Sequence, residues 1–168
     1  DYSFAGHNKE ATLELKNLFD GSAPFDTPKP VKLMRRLLEL VSPEDGIVLD
    51  FFAGSCTLAE AVIALNAEEG SNCRYVMAQI PEACGAESQA FKAGYATIAS
   101  VGKERIRRAG KKIKEEAGLN GEKLDIGFRV LKVDTSNMKD VYYTPDKVTQ
   151  ETLAGQLDNI KEDRTDED

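Results

Sequence analysis

The residues best placed to do chemistry lie in Ile47–Leu58, IVLDFFAGSCTL. A short apolar run ends on Asp50, and Phe51, Phe52, Ala53, Gly54 and Ser55 lead into a helical pattern at Thr57. In open parallel sheets, ligands bind beyond the carboxyl ends of the strands. Asp50 stands at such an end and can meet a cation. Gly54 lets the backbone turn tightly. The helix start at Ser55–Thr57 brings free N–H groups and the positive end of the helix dipole. A small ligand with both an ammonium and a carboxylate suits this combination. A phosphate cradle fits less well, because no Gly-Lys-Ser/Thr and no G-x-G-x-x-G accompanies the turn. A tight strand–helix turn with a helix-capping role is the alternative for the stretch taken alone.

The surrounding elements follow from periodicity. Val31, Met34, Leu37, Leu38 and Val41 recur at helical spacing, and the prolines of DTPKP are tolerable in a first helical turn capped by Thr27. SPEDG ends that helix. IVLDFF reads as a strand, TLAEAVIALNAEEG as a helix, and CRYVMAQI as a second strand stopped by Pro81. Strand, helix, strand with this short connection is a βαβ unit and implies parallel pairing. A long helix is expected from Thr97 or Ser100 to near Gly118, and DIGFRVLKVD reads as a third strand. Residues 1–26 read mostly as loop with a short helix near Lys9–Phe19, residues 27–140 as the α/β domain, and residues 141–168 as a terminal segment. From Asp158 onward acids dominate, which reads as a frayed or disordered tail.

With 168 residues and 41% hydrophobic content, the chain can build one domain with a core. Its net charge of −7 argues against a wholly basic nucleic-acid binder, without excluding a local basic face. Cys56, Cys73 and Cys84 show no CxxC spacing, and the single histidine is His7, so neither a zinc site nor a disulfide framework is expected. That cysteine usage fits a reducing cytosol. No apolar run approaches the roughly 20 residues of a membrane span, and no signal peptide is visible. The first residue is Asp1 rather than Met, which reads as a piece of something longer.

The segment FDTPKPVKLMRRLLELVSPEDGIVLDFFAGSCTLAEAVIALNAEEG, with CRYVMAQIPE after it, resembles the carboxy-terminal half of the modification subunit of Type III restriction–modification systems. Those are adenine-N6 DNA methyltransferases of the β arrangement that use S-adenosylmethionine. The likeness runs from about Gly6 to Lys139 and takes in KERIRRAGKKIKEE and LDIGFRVLKVDTSN. TPKP and DFFAGS occur in the family's order. The resemblance implies an α/β, Rossmann-like methyltransferase fold, here partial, with parallel strands and flanking helices. It puts Phe25, Thr27, Lys29 and Pro30 on the methionine side of the cofactor. It puts Asp50, Phe51, Phe52, Ala53, Gly54, Ser55 and Thr57 in the central cofactor loop, Asp50 on the ammonium group and a Phe bordering the ligand. The ribose or adenine would meet Gln79 or Glu82. It further implies DNA, the restriction subunit and a homodimer of the intact subunit as partners, with a cytoplasmic location. Metal ligands and catalytic residues are not expected in this chain.

Where the family's commoner spelling has a second glycine, this chain has Cys56. Cysteine replaces glycine without cost if φ is negative and with strain if φ is positive. A nucleophilic role for Cys56 is not expected, since nothing nearby supplies a general base. The family's Asp-Pro-Pro-Tyr-like tetrapeptide, which accepts hydrogen bonds from the adenine amine, does not occur; APFD, TPKP, IPEA and YTPD are the nearest proline contexts. The cofactor half of an active site is therefore expected here without its base-binding half. Between Lys103 and Lys114 stand seven basic residues and one acid. They read as a solvated helix with an apolar stripe of Ile98, Val101, Ile106 and Ile113, or as a phosphate-contacting surface. Tyr142 and Tyr143 read as core or interface aromatics. A non-catalytic binding or assembly module is the rival reading for the whole; a small-molecule methyltransferase is disfavoured by TPKP preceding DFFAGS.

Overall fold

The structure, a computed structural model, describes residues 2–41, 45–133, 135–139, 160–162 and 164. The chain forms two compact units, residues 1–127 and 128–168.

In the first unit the order is α1 (Tyr2–Ala5), α2 (Asn8–Leu18), α3 (Val31–Val41), β1 (Ile47–Asp50), α4 (Thr57–Glu69), β2 (Arg74–Met77), α5 (Gln89–Lys92) and α6 (Ile98–Glu116), then a 3-10 turn at Gly118–Lys123. β1 and β2 pair in parallel with Ile47 opposite Arg74 and Asp50 opposite Met77. This is the α/β arrangement with parallel strands and flanking helices that the βαβ pattern implies. Among the described residues no helix is long and apolar enough to cross a membrane.

α4 is the organising helix. Ala59, Ala61, Val62, Ile63 and Leu65 are all buried, more than one helical stripe can carry, because α4 packs against α3, α6 and β2. Leu38 from α3, Val62 and Leu65 from α4, and Cys73 form one core cluster, with Val48 and Tyr75 of the strands against it. A buried Val, Ile or Leu side chain of this kind contributes about 1.5–3 kcal/mol. Gly70 ends α4 in the left-handed region at φ 69°. The Asn66 side chain then bonds both the N–H and the carbonyl of Cys73, fixing the entry to β2. The opposite face of the strands is bare: Ile47, Leu49 and Val76 are 59%, 61% and 52% exposed.

The short helix expected near Lys9–Phe19 is α2, and His7 caps it by accepting from the N–H groups of Lys9 and Glu10. Several other expectations are corrected. A further helix at residues 2–5 means that residues 1–26 are not mostly loop. Both prolines of TPKP precede α3 rather than sitting in its first turn, and the Pro30 carbonyl accepts the first helical bond from Met34. Thr27 therefore does not cap α3. DIGFRVLKVD forms no strand among its described residues. Val130, Leu131 and Val133 are exposed, and no neighbouring strand pairs their backbone among the described residues. An alternating apolar run without a partner ladder has nothing to hold it as a strand. Residues 42–44 of SPEDG, Tyr142 and Tyr143, and nearly all of the acidic tail lie outside the described residues.

In the second unit, Met138 and Ile160 form an isolated antiparallel bridge, and Arg164 donates to Thr135 Oγ1 at 3.1 Å.

Candidate cofactor site

β1 ends on Asp50, whose Oδ1 accepts the Phe52 N–H at 3.1 Å. That bond ties the carboxylate into the turn that follows it. The Asp50 carbonyl accepts from Ala78 at 2.8 Å and the Ala53 N–H donates to Ala78 at 3.1 Å, so β2 continues to brace the chain past the strand end. Gln79 adds a side-chain brace: its Oε1 accepts the Gly54 N–H at 2.7 Å, and its Nε2 donates to the Ile80 carbonyl at 3.2 Å. Gly54 has φ 52°, and a Cβ there would lie 3.3 Å from Cζ of Phe25. Phe25, from the segment before α3, is thus laid against the glycine of the turn.

Cys56 takes φ 60° and ψ 38°, the left-handed region, and precedes α4 without a side-chain capping bond. This is the strained alternative for a cysteine in place of glycine, at roughly 1–2 kcal/mol. Its thiol is buried and is pushed up to about 11 by burial. At neutral pH it is therefore a protonated, packed side chain and not a nucleophile. Across from it, α6 supplies Gly102, where a Cβ would come within 2.6 Å of Cys56 Sγ.

Arg105, on the same helix, stands among the basic residues that read as a solvated surface, yet it is turned inward. It is 0% exposed. Its Nη1 donates to Ser55 Oγ at 2.9 Å and Thr57 Oγ1 at 2.6 Å, and its Nε donates to Glu60 Oε2 at 2.7 Å. Ser55 and Thr57 are themselves buried, so their hydroxyls serve this guanidinium rather than capping α4. Position was the available signal: Val101, Arg105 and Ala109 follow one another at four-residue spacing on the buried face. The expected stripe is otherwise seen at Val101 and Ile106.

The turn thus gathers Asp50, Phe52, Ala53, Gly54, Ser55, Thr57, Phe25 and Gln79. Phe51 and Phe52 stand out from it, 67% and 77% exposed, with ring centres 5.1 Å apart. Thr27 and Lys29 are exposed, and among the described residues no side-chain hydrogen bond ties either to the turn; Pro30 is buried. No cluster of metal-ligating side chains occurs among the described residues.

A parallel βαβ unit with an acidic strand tip and a glycine turn is the framework of an α/β methyltransferase. Residues 2–116 match the DNA methylase family, and the chain belongs to it. It is 43% identical over 122 residues to the Mod subunit of the Type III restriction-modification enzyme StyLTI of Salmonella typhimurium, covering 73% of this chain and 18% of that protein. The Mod subunit of the Type III enzyme EcoPI of Escherichia phage P1 is likewise 43% identical over 122 residues, 72% of this chain and 18% of its own length. The Type II methyltransferase M.KpnI of Klebsiella pneumoniae is 32% identical over 101 residues, 60% of this chain and 24% of its own. The chain thus spans less than a fifth of the length of the Mod subunits it matches.

Proposed function

We propose that this chain is the S-adenosylmethionine-binding part of a site-specific DNA adenine-N6 methyltransferase of a Type III restriction–modification system. The observation that carries the reading is the packing of Phe25 against Gly54, which joins the two segments that the resemblance assigns to one cofactor. The likeness to Mod subunits supports the same class and, with it, DNA and a restriction subunit as partners of the intact protein. A homodimer of the intact subunit and a cytoplasmic location accord with that reading.

The residues present suit the cofactor. Asp50 is half-buried, has one oxygen committed to Phe52, and makes no hydrogen bond through the other among the described residues. That second oxygen is available to an ammonium group. The start of α4 offers N–H groups to a carboxylate. Phe51 and Phe52 give exposed aromatic surface beside the turn, and Gln79, already bracing Gly54, lies on the side proposed for the ribose. Phe25, Thr27, Lys29 and Pro30 take the methionine side. When bound, the cofactor supplies an electrophilic methyl group. The chain's own part is to bind and orient it; Ala53, Gly54, Ser55 and Thr57 act through the shape of the turn.

No Asp-Pro-Pro-Tyr-like tetrapeptide occurs in these 168 residues, so the isolated chain is expected to transfer no methyl group to DNA above background. Tritium transfer from labelled cofactor to mixed-sequence duplex tests this, and clear incorporation into adenine would overturn it. The cofactor assignment is tested by titration calorimetry on the intact subunit. Asp50→Ala removes a charged partner worth about 1.5–3 kcal/mol. That is about a ten- to hundredfold rise in Kd. Unchanged affinity would return Asp50 and its turn to a purely structural role; no binding by the parent would favour the reading of the chain as an assembly module.

A further inference from the structure

Cys56 holds a left-handed backbone that a non-glycine residue keeps only where its surroundings over-determine it. Those surroundings are on α6. The hydroxyls on either side of Cys56, those of Ser55 and Thr57, are both bonded to one nitrogen of Arg105, from 50 and 48 residues along the chain. One helical turn earlier, Gly102 leaves the space that Cys56 Sγ fills. The guanidinium is balanced by Glu60 at 2.7 Å, and its Nη2 is buried with no hydrogen-bond partner. A second carboxylate also feels Arg105. Glu14 of α2 is raised by burial, an effect opposed by the Val31 N–H, reinforced by Glu60 and opposed again by the Arg105 charge. Glu14 Oε2 accepts that Val31 N–H at 3.1 Å, immediately after Pro30. Glu14 thus ties the start of α3 to α2, while Arg105, Glu60, Ser55 and Thr57 form the hydrogen-bonded cluster at the turn before α4.

We propose that Arg105 is a positioning residue for cofactor binding: its two-point hold on Ser55 and Thr57 keeps Cys56 left-handed and so sets the shape of the Asp50–Thr57 turn. The cofactor part of this rests on the reading above; the hold on the turn does not.

The test is native-state alkylation of the full chain, mapped by mass spectrometry, run beside calorimetric titration with S-adenosylmethionine. Arg105→Gln is expected to raise labelling of Cys56 by about tenfold or more through local opening, while Cys73, buried in the core cluster between α3 and α4, stays protected. Arg105→Lys, which restores a charged donor, is expected to return most of the protection. Labelling of Cys56 and Cys73 rising together would show only general loss of stability and would overturn the hold, as would no rise at all. If Arg105→Gln does not fold, Ser55→Ala removes one anchor alone and must show the same selective exposure of Cys56. In the titration, a parent chain that binds cofactor must lose affinity about tenfold or more with Arg105→Gln. Equal affinity would overturn the positioning role. Selective exposure in a parent that binds no cofactor would leave the hold standing and count against the cofactor assignment.

Discussion

Gln79 and Gly54 are joined by a 2.7 Å hydrogen bond from the glycine N–H to the glutamine Oε1, which fastens the segment just after β2 to the turn after β1. Gln79→Ala leaves that partly buried N–H unpaired and is expected to cost about 1–3 kcal/mol. Thermal unfolding checks it; a change below about 0.5 kcal/mol would show that water replaces the side chain freely.

Cys56 and Gly102 are expected to be coupled. Gly102→Ala drives a Cβ toward the Cys56 sulfur and should cost about 1–3 kcal/mol by overpacking. In a Cys56→Gly background much of that cost should vanish, giving an interaction energy on the order of 1 kcal/mol in a double-mutant cycle. Additive losses would refute the close approach. The same series separates strain from packing. Cys56→Gly should be more stable than Cys56→Ala although it removes more buried surface, because only glycine relieves the left-handed backbone.

The Cys56 thiol gives the fold an alkaline limit. Its folded pKa, raised to about 11 by burial, lies above the value of about 8.5 for a free thiol. As pH rises through the unfolded value, the unfolded chain releases a proton that the folded chain retains, so stability falls from about pH 8.5 toward pH 11. Tyr75, pushed up to about 12 by burial, acts in the same direction at higher pH. Denaturant unfolding under reducing conditions should therefore show the parent losing about 2 kcal/mol relative to Cys56→Ala between about pH 8 and 10.5. A difference that stays constant with pH would mean that the thiol is not held protonated.

The basic side chains of α6 should divide by role. Arg108 donates to Glu104, to Asp20 and to the Leu18 carbonyl, and its guanidinium stands 5.0 Å from the Phe19 ring centre. Arg108→Gln should lower stability by about 1 kcal/mol. Lys111 and Lys112 are exposed, at 3.9 Å from Glu115 and Glu116, and their replacement by Gln should leave stability within about 0.5 kcal/mol. If they meet phosphates in the intact subunit, the double replacement flattens the salt dependence of DNA binding by roughly 0.9 per lysine. An unchanged slope leaves them as solvated surface.

Much of this was legible in the sequence where local rules and packing agree. The long helix expected from Thr97 or Ser100 to near Gly118 is α6, Ile98–Glu116. The helix from Thr57 and the parallel pairing of its flanking strands follow from the βαβ spacing. The sequence points to Asp50 and Gly54 through the strand tip and the turn, and to Phe25 through its place ahead of TPKP. Residue type alone could not decide the sign of φ at Cys56, because that depends on what α6 brings to it. Arg105 was hidden by its own charge: an arginine flanked by other basic residues reads as solvent-facing until Glu60, Ser55 and Thr57 are found around it. The described residues 125–133 form no strand for the opposite reason, since alternation records a preference for a sheet and says nothing of whether a neighbour pairs with it.

The bare side of the two-stranded sheet has a practical consequence. Parallel strands are ordinarily covered on both faces. Here Ile47, Leu49 and Val76 meet water instead. Side chains of this kind, side by side on a short ladder, make this the surface through which separate copies would adhere at high concentration. Light scattering against protein concentration would register that tendency, and Leu49→Lys would be the first change to try when preparing the chain for calorimetry.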